Sequence, residues 1–179
     1  MADFKHIIPF IRRAEGGWVN NPNDTGGETM AGVTYSTWKT FFGDTHERFI
    51  AMSDSDWGVI FKKGYWDLML GDQIKSQRIS DITVDWIWGS GKHYPEIDIQ
   101  DIIVHTFNIH ITEDGNFGPA TIAAINATDE QKLWEAIVAK RFWYLDAIVA
   151  AHPTNGVFLK GWQNRMNHLI TFETTGQLV

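Results

Sequence analysis

The chain contains no cysteine among its 179 residues. Disulfide bonds, a thiolate nucleophile and a thiolate metal site are therefore excluded. Acidic residues outnumber basic ones, and the formal net charge of -7 argues against a protein that binds the phosphates of nucleic acids. No segment approaches the roughly 18 uninterrupted apolar residues that a membrane-spanning helix needs. We therefore expect neither a nucleic-acid partner nor insertion into a membrane.

The N-terminus lacks the pattern of a secretory signal. Its apolar stretch is interrupted by Pro9 and followed by Arg12 and Arg13, which reverses the usual order of charged and apolar regions. We therefore expect the protein to be made in the cytoplasm without a signal peptide. With 44% apolar residues the chain can bury a proper core, in one domain or in two small lobes.

Periodic apolar positions separated by capping signals predict a mainly α-helical fold with at most a short β-hairpin. The hairpin is placed within Thr29 to Thr34. Ser53 and Asp56 predict a capping box for a helix that closes at Gly71. Further helices are predicted over 76–88, 98–107, 133–151 and 158–172, the third of them capped by Thr128 with Gln131.

Glycine, lysine and proline interrupt two apolar helices between Gly89 and Pro95. We place a lobe boundary here, which gives an N-terminal catalytic lobe over 1–90 and a helical lobe over 91–179, packed into one compact unit. Beyond the boundary, the segment from Asp114 to Thr121 is a predicted turn. Its glycines permit positive φ, and Pro119 can start a helix.

Glu15 lies where a short amphipathic segment meets a polar, glycine-rich run that extends to Thr34. A carboxyl group at such a junction is suited to acid catalysis, because the apolar side limits its hydration while the loop admits a substrate. The simpler alternative is that Glu15 only ends a helix. The apolar side of the junction is formed by Phe4, Ile7, Ile8, Phe10 and Ile11.

The run around Glu15 carries several motifs at fixed glycine spacing. They read Glu15-Gly16-Gly17-Trp18, Asn21-Pro22-Asn23-Asp24, Gly26-Gly27-Glu28-Thr29 and Gly32-Val33-Thr34. This series resembles the signature of glycoside hydrolase family 108, which comprises N-acetylmuramidase-type lysozymes of phage and prophage, some of them labelled secretion activator proteins. Two positions depart from the family pattern, since Trp18 replaces a tyrosine and Gly89 an asparagine.

The resemblance extends over nearly the whole chain. Downstream segments are similar to the family's middle segment, to its C-terminal peptidoglycan-binding domain and to its closing helix. In chain order they are Tyr65-Trp66-Asp67, Asp85-Trp86-Ile87-Trp88 with Ser90-Gly91, Asp114-Gly115 with Gly118-Pro119 and Thr121, and the run from Phe158 to Arg165.

The resemblance implies a lysozyme-like fold in which Glu15 is the general acid. Asp24 and Thr29 resemble the other two members of the Glu, Asp, Thr constellation of phage-type lysozymes. If these two hold a water across a wide gap, hydrolysis inverts the anomeric configuration, and we adopt inversion as a hypothesis. Asp24 can equally be a turn former, and Thr29 a strand residue that bonds the loop.

Three residues are candidates for binding the substrate. Trp18 and Tyr35 lie close to the catalytic loop, where an aromatic ring can stack on the apolar face of a sugar. Asp85 either lines the cleft or belongs to a buried network. Trp86 and Trp88 lie two positions apart on a predicted helix and hence on different faces, so at most one of them faces the cleft.

The seven histidines include no His-Glu-x-x-His motif, and the segment around Asp114 lacks the ligand spacing of a calcium loop. We expect no metal and no cofactor.

The sequence therefore predicts a peptidoglycan glycosidase that hydrolyses the β-1,4 bond between N-acetylmuramic acid and N-acetylglucosamine, with glycan strands of peptidoglycan as its partner. Two alternatives stay open: a lytic transglycosylase acting on the same bond, and a non-catalytic wall-binding or secretion accessory protein. As an endolysin or prophage enzyme it would act on the cell wall after release through a holin or another export route.

Overall fold

The computed structural model describes residues 1–20 and 27–178. Within these ranges the chain is mainly α-helical, with one small antiparallel sheet. The helices and strands are α1 Ile8–Ala14, β1 Trp18–Val19, β2 Thr29–Met30, β3 Val33–Thr34, α2 Tyr35–Phe42, α3 His46–Ile50, α4 Asp54–Phe61, α5 Gln77–Ser90, α6 His93–Asp101, α7 Pro119–Ala127, α8 Glu130–Ala151 and α9 Gly156–Thr175. The boundary predicted near residue 90 falls between α5 and α6, and the division into two lobes stays a prediction.

The predicted hairpin is present, and a third strand extends it. β2 pairs with β3, and β1 pairs with the other edge of β2. The turn between β2 and β3 is formed by Ala31 and Gly32, which have φ values of 48° and 79°. Positive φ at both central positions is the geometry whose twist matches a two-residue hairpin. With only two residues, β1 is too short to leave a pattern in the sequence.

Two capping predictions have different outcomes. The capping box of Ser53 and Asp56 is confirmed at the start of α4. The box predicted for Thr128 is wrong, because the side chain of Asp129 caps α8 by accepting from the backbone N–H of Lys132. The Thr128 hydroxyl instead donates to the carbonyl of Ala124 at 2.8 Å, so this residue belongs to the end of α7.

Two of the predicted helices are only partly α-helical and continue as π-helical or 3-10 segments. The segment after α4 becomes π-helical over Lys62–Trp66 and then 3-10 over Asp67–Met69 and Gly71–Gln73. The helix predicted over 98–107 begins earlier, as α6, and continues as the π-helical segment Ile102–Thr106. Gly71 is required where it stands, because a Cβ atom there would lie 2.4 Å from Cε2 of Trp66.

α5 is the central helix of the molecule. Its residues from Ile79 to Ile87 are buried without interruption, so it has no solvent-facing stripe over that length. Several of its buried polar side chains are bonded: the Thr83 hydroxyl donates to the Ile79 carbonyl, and Asp81 accepts from Gln77 and lies 2.6 Å from Nδ1 of His6. Trp38, Trp57 and Trp66 are fully buried and belong to the core.

Three carboxyl groups, two of them buried and one half-buried, bind their protons unusually tightly. Burial raises the pKa of Asp81 on α5 to about 7, and burial together with the charge of Asp81 raises the pKa of Glu173 on α9 to about 8. Glu96 on α6 is fully buried, and burial raises its pKa to about 7. The fold therefore favours the neutral form of each group.

We predict that the free energy of unfolding decreases as the pH rises from about 5 to about 8. The unfolded chain releases these protons near the ordinary pKa values of 3.8 and 4.5, whereas the folded chain holds them to about 7 or 8. The folded state therefore binds more protons in that window, and stability falls with rising pH. Urea unfolding at several pH values measures this slope.

Asp81→Asn and Glu96→Gln should each flatten the pH dependence, because the amide cannot ionise. The control is Glu135→Gln, which changes an exposed glutamate on α8 and should keep the wild-type slope. A wild-type stability that rises between pH 5 and pH 8 would contradict this account of the three groups.

Candidate active site

Glu15 is the residue at which the chain leaves α1 and turns toward the sheet. Its backbone is extended, with φ -90° and ψ 131°, and its N–H donates to the carbonyl of Arg12. Phe10 and Ile11 anchor α1 in the core on the side opposite the turn. Because the helix ends here, the Glu15 side chain projects from a fixed point, and 18% of its surface is exposed.

Two side chains from distant parts of the sequence meet the same oxygen of Glu15. The indole N–H of Trp88, on the last turn of α5, donates to Oε1 at 2.8 Å. Nη1 of Arg165, on α9, lies 3.9 Å from Oε1. Arg165 therefore places a positive charge where Glu15 becomes negative after giving up a proton.

The backbone of the hairpin turn packs against the other oxygen. A Cβ atom at Gly32 would stand 2.4 Å from Oε2 of Glu15 and 2.8 Å from Cζ2 of Trp88. Such distances exclude any side chain at this position without movement of the carboxyl group. The glycine is thus required both for the positive φ of the turn and for the close approach of backbone to Glu15.

An aromatic cluster holds Trp88 in place. Its ring centroid lies 4.6 Å from that of Tyr65, 5.4 Å from that of Trp57 and 5.7 Å from that of Phe61. The indole N–H of Trp57 also donates to the carbonyl of Ala31 at 3.0 Å, which ties the hairpin turn to the same cluster. Burial and the charge of Glu15 raise the pKa of Tyr65, so this phenol remains neutral.

Asp85 belongs to a buried network and does not line a cleft. Its side chain has no exposed surface, and it accepts from Arg141 at 3.0 Å and from Arg165 at 2.7 Å. Although burial acts to raise the pKa of Asp85, the two guanidinium groups hold it below the usual value. The prediction of direct substrate contact is therefore corrected: Asp85 positions Arg165, which in turn faces Glu15.

Trp18 and Tyr35 are brought together through Glu28. Trp18 on β1 is 49% exposed, and its indole N–H donates to the Glu28 carboxylate. His46 meets the same carboxylate at 2.7 Å, and its ring packs edge-on against that of Tyr35 at 5.1 Å. The hydrogen bond from Trp18 and the proximity of His46 lower the pKa of Glu28, so it stays ionised and braces these rings.

Of the two other predicted catalytic residues, Thr29 lies within the described residues and Asp24 does not. Thr29 lies on β2, and its hydroxyl donates to the carbonyl of Gly27 at 3.3 Å. The arrangement around Glu15 thus comprises its carboxyl group, two side chains at Oε1 and the glycine turn at Oε2.

Trp88 and Arg165 contact the Glu15 carboxyl group, and sequence reasoning assigned neither of them to the site. The face rule predicts that at most one of Trp86 and Trp88 points to the cleft, but it does not choose between them. In the structure Trp86 is buried against Tyr144, and Trp88 reaches Glu15. The signal for Arg165 was its place at the end of the family-like motif in α9.

Two groups of three side chains outside the Glu15 site bring potential metal ligands within 4.8 Å of one another. One comprises His6, Asp81 and Glu173, and the other Asp101, His105 and Glu113. Neither group includes a residue that contacts Glu15. Over the described parts of the chain, every helix is too short or too polar to cross a lipid bilayer.

We predict that Asp85→Asn lowers the free energy of unfolding by about 3–5 kcal/mol, because it leaves two arginines facing a neutral amide in a buried site. Chemical denaturation measures the change. The control is Asp54→Asn, which removes the ion pair between Asp54 and Arg12. Because the Asp54 side chain is 91% exposed, this change should lower the free energy of unfolding by less than about 1 kcal/mol. Equal losses in the two variants would contradict the buried network.

Comparison with known proteins identifies two regions. The family model described as Glycosyl hydrolase 108 matches residues 8–91, and the model described as Predicted Peptidoglycan domain matches residues 96–167. Among solved structures, that of Brucella abortus SagA matches with a TM-score of 0.76 at 24% identity, covering 93% of this chain and 90% of that one. A comparison with curated proteins finds no match.

The structural likeness concerns the fold, and it confirms the predicted mainly α-helical, lysozyme-like architecture. The two family models agree with the resemblance seen in the sequence and give the protein a role in hydrolysing or binding peptidoglycan. The hydrolase region at residues 8–91 belongs to the glycosyl hydrolase 108 family, and a peptidoglycan-binding domain follows it at residues 96–167.

Proposed function

We propose that the protein hydrolyses the β-1,4 bond between N-acetylmuramic acid and N-acetylglucosamine in peptidoglycan, with Glu15 as general acid. The observation that carries the proposal is the environment of the Glu15 carboxyl group. One oxygen accepts from Trp88 and faces Arg165, while the other lies against the bare backbone of Gly32. A carboxyl group held this way is a positioned proton donor rather than a surface charge.

The two oxygens of Glu15 have different tasks in this proposal. Oε1 is occupied by the indole N–H of Trp88, so Oε2 is the oxygen that carries the proton. Oε2 gives this proton to the glycosidic oxygen as the bond to the anomeric carbon breaks. The charge left on the carboxylate is then stabilised by Arg165 and by the hydrogen bond from Trp88.

The attacking water is assigned to Asp24 and Thr29. Thr29 lies in the strand that leads into the Gly32 turn, so its backbone is fixed relative to Glu15 by the hairpin. A water activated from this side of the sugar, opposite the acid, gives inversion of the anomeric configuration. Trp18 and Tyr35, which Glu28 and His46 brace, are assigned to contact with the saccharide.

We place the activity on the cell wall, reached after release from the cytoplasm as an endolysin or secretion activator would be, through a holin or another export route. The region matched by the peptidoglycan model then keeps the enzyme on its polymeric substrate. Tethering of this kind raises the local concentration of bonds available to Glu15.

We predict that Glu15→Gln lowers the rate of peptidoglycan clearing by about 10²- to 10⁴-fold, because the amide cannot donate the proton. Turbidity loss of purified peptidoglycan measures the rate, and Glu135→Gln on the exposed face of α8 is the control. Equal clearing by wild type and Glu15→Gln would show that Glu15 is the wrong residue.

Mass spectrometry of the released fragments distinguishes the reaction types. Reducing muramic ends identify hydrolysis, and 1,6-anhydro ends identify a lytic transglycosylase that uses the same acid. Sedimentation on the wall without clearing by any variant would instead identify a binding protein. Retention of the anomeric configuration in a hydrolytic product would remove the inverting role of Asp24 and Thr29.

A second prediction concerns the glycine turn. Gly32→Ala should lower kcat by about 10- to 100-fold, because the new methyl group displaces the Glu15 carboxyl from its productive position. The control is Gly43→Ala: Gly43 has a similar φ of 74°, but nothing lies within 4 Å of its Cβ position. Both variants carry backbone strain, so a selective loss of activity in Gly32→Ala isolates the contact with Glu15. Equal activity of the two variants would contradict it.

A further inference from the structure

A groove of about 470 Å³ lies between α1 and α9. On the α1 side it is lined by Phe10, Arg13 and Ala14, the last of which directly precedes Glu15. On the α9 side it reaches Arg165, whose guanidinium lies 3.9 Å from the Glu15 carboxylate. The volume falls in the range of roughly 300–1,000 Å³ typical of ligand clefts. The groove therefore shares Arg165 with the proposed catalytic residue and adjoins it along α1.

The α9 wall of the groove is polar where a packed helix would be apolar. Gly161, Asn164, Arg165 and His168 follow the spacing i, i+3, i+4, i+7 and so form one stripe along the helix. The core-facing side of α9 carries other residues, among them the buried Leu169. The stripe that faces α1 thus presents hydrogen-bonding groups to an open channel instead of closing the space between the helices.

Gly161 keeps this channel open. It lies within the 20-residue helix α9, where a glycine costs about 1 kcal/mol relative to alanine. Nothing lies within 4 Å of the position that its Cβ would take, so neither packing nor positive φ demands a glycine. The cost of this residue therefore has no explanation in the fold, whereas the missing side chain widens the groove.

The groove is also basic in an acidic protein. Its described lining includes two arginines and a histidine and no Asp or Glu, although the whole chain has a net charge of -7. Arg165 is shared with Asp85 and Glu15. Arg13 and His168 are exposed and line the groove walls. Nη1 of Arg13 donates to the carbonyl of Leu178 at 2.6 Å, and the other N–H groups of its guanidinium are the ones that can bind a ligand. A ligand that complements this lining carries carboxylates and amide groups.

We propose that this groove binds the acidic peptide attached to the muramic acid residue next to the cleaved bond. Arg13 and His168 contact its carboxylates, and the amide of Asn164 contacts its backbone. The proposal rests on the assignment of peptidoglycan cleavage to Glu15, because the sugar held at Glu15 delivers its own peptide into the adjoining groove. The enzyme would therefore favour glycan strands that keep their peptides over strands that have lost them.

The test compares cleavage of intact peptidoglycan glycan strands with cleavage of the same strands after an amidase has removed the peptides. Arg13→Gln should lower kcat/KM on peptide-bearing strands about 3- to 10-fold and leave the stripped strands unchanged. Raising the salt concentration should shrink the difference, because Arg13 is exposed. Lys160→Gln removes an exposed cation of α9 outside the groove and is the matched control.

Gly161→Leu provides a variant that keeps every charge. Leucine favours helix, so α9 remains folded, but its side chain fills the channel. We expect the same selective loss on peptide-bearing strands as for Arg13→Gln, with an unfolding midpoint at or above that of wild type. The groove proposal would be overturned if each variant changed kcat/KM equally on peptide-bearing and stripped strands, or if neither variant changed it on any strand. Cleavage by Glu15 would stand in both cases.

A binding measurement separates this proposal from the catalytic one. Calorimetry with the Glu15→Gln protein compares a disaccharide that carries its peptide with the same disaccharide without it. Tighter binding of the peptide form, lost with Arg13→Gln, supports the groove even if wild type proves unable to cleave peptidoglycan. Equal binding of the two disaccharides overturns the groove proposal whatever the activity of Glu15.

Discussion

The structure depends on one buried interaction, the carboxylate of Asp85 held between two arginines. A charge without solvent exposure is tolerated only when it is paired and hydrogen-bonded, and Asp85 meets both conditions through Arg141 of α8 and Arg165 of α9. Because Asp85 lies on the central helix α5, this contact joins three helices at one point. It also fixes the guanidinium that faces Glu15, so assembly of the fold and construction of the site share the same ion pairs.

One face of α5 supports the proposed acid by two routes. Asp85 and Trp88 lie three residues apart and hence on the same side of the helix. Asp85 acts at a distance by holding Arg165, while Trp88 donates directly to Glu15. The hairpin closes the other side, since Gly32 lies against Oε2 and the Trp57 indole holds the carbonyl next to it. A residue at the end of α1 is thereby immobilised without being fully buried.

Local signals were sufficient to predict the parts of the fold that depend on neighbouring residues. The capping box of Ser53 needs only residues three apart, and the hairpin needs only its glycine turn. The partners of Glu15 could not be found in this way. Trp88 is 73 residues away, and apolar periodicity indicates which residues share a helix face but not which element that face contacts. The two alternatives for Asp85 were undecidable for the same reason: the choice depends on arginines from two other helices. The cap predicted at Thr128 was wrong by one position, because the carboxylate of Asp129 accepts from the N–H of Lys132 at the start of α8.

The acidic net charge does not predict how strongly such a protein binds an anionic wall polymer. At physiological salt the Debye length is about 8 Å, so a ligand within the groove responds mainly to the charges that line it. Arg12 and Arg13 stand in the last turn of α1, where positive charge also stabilises the helix end. Arg13 also lines the groove from α1, and Arg165 lines it from α9. The basic residues of the proposed peptide groove are thus set apart from the acidic residues that give the chain its negative net charge.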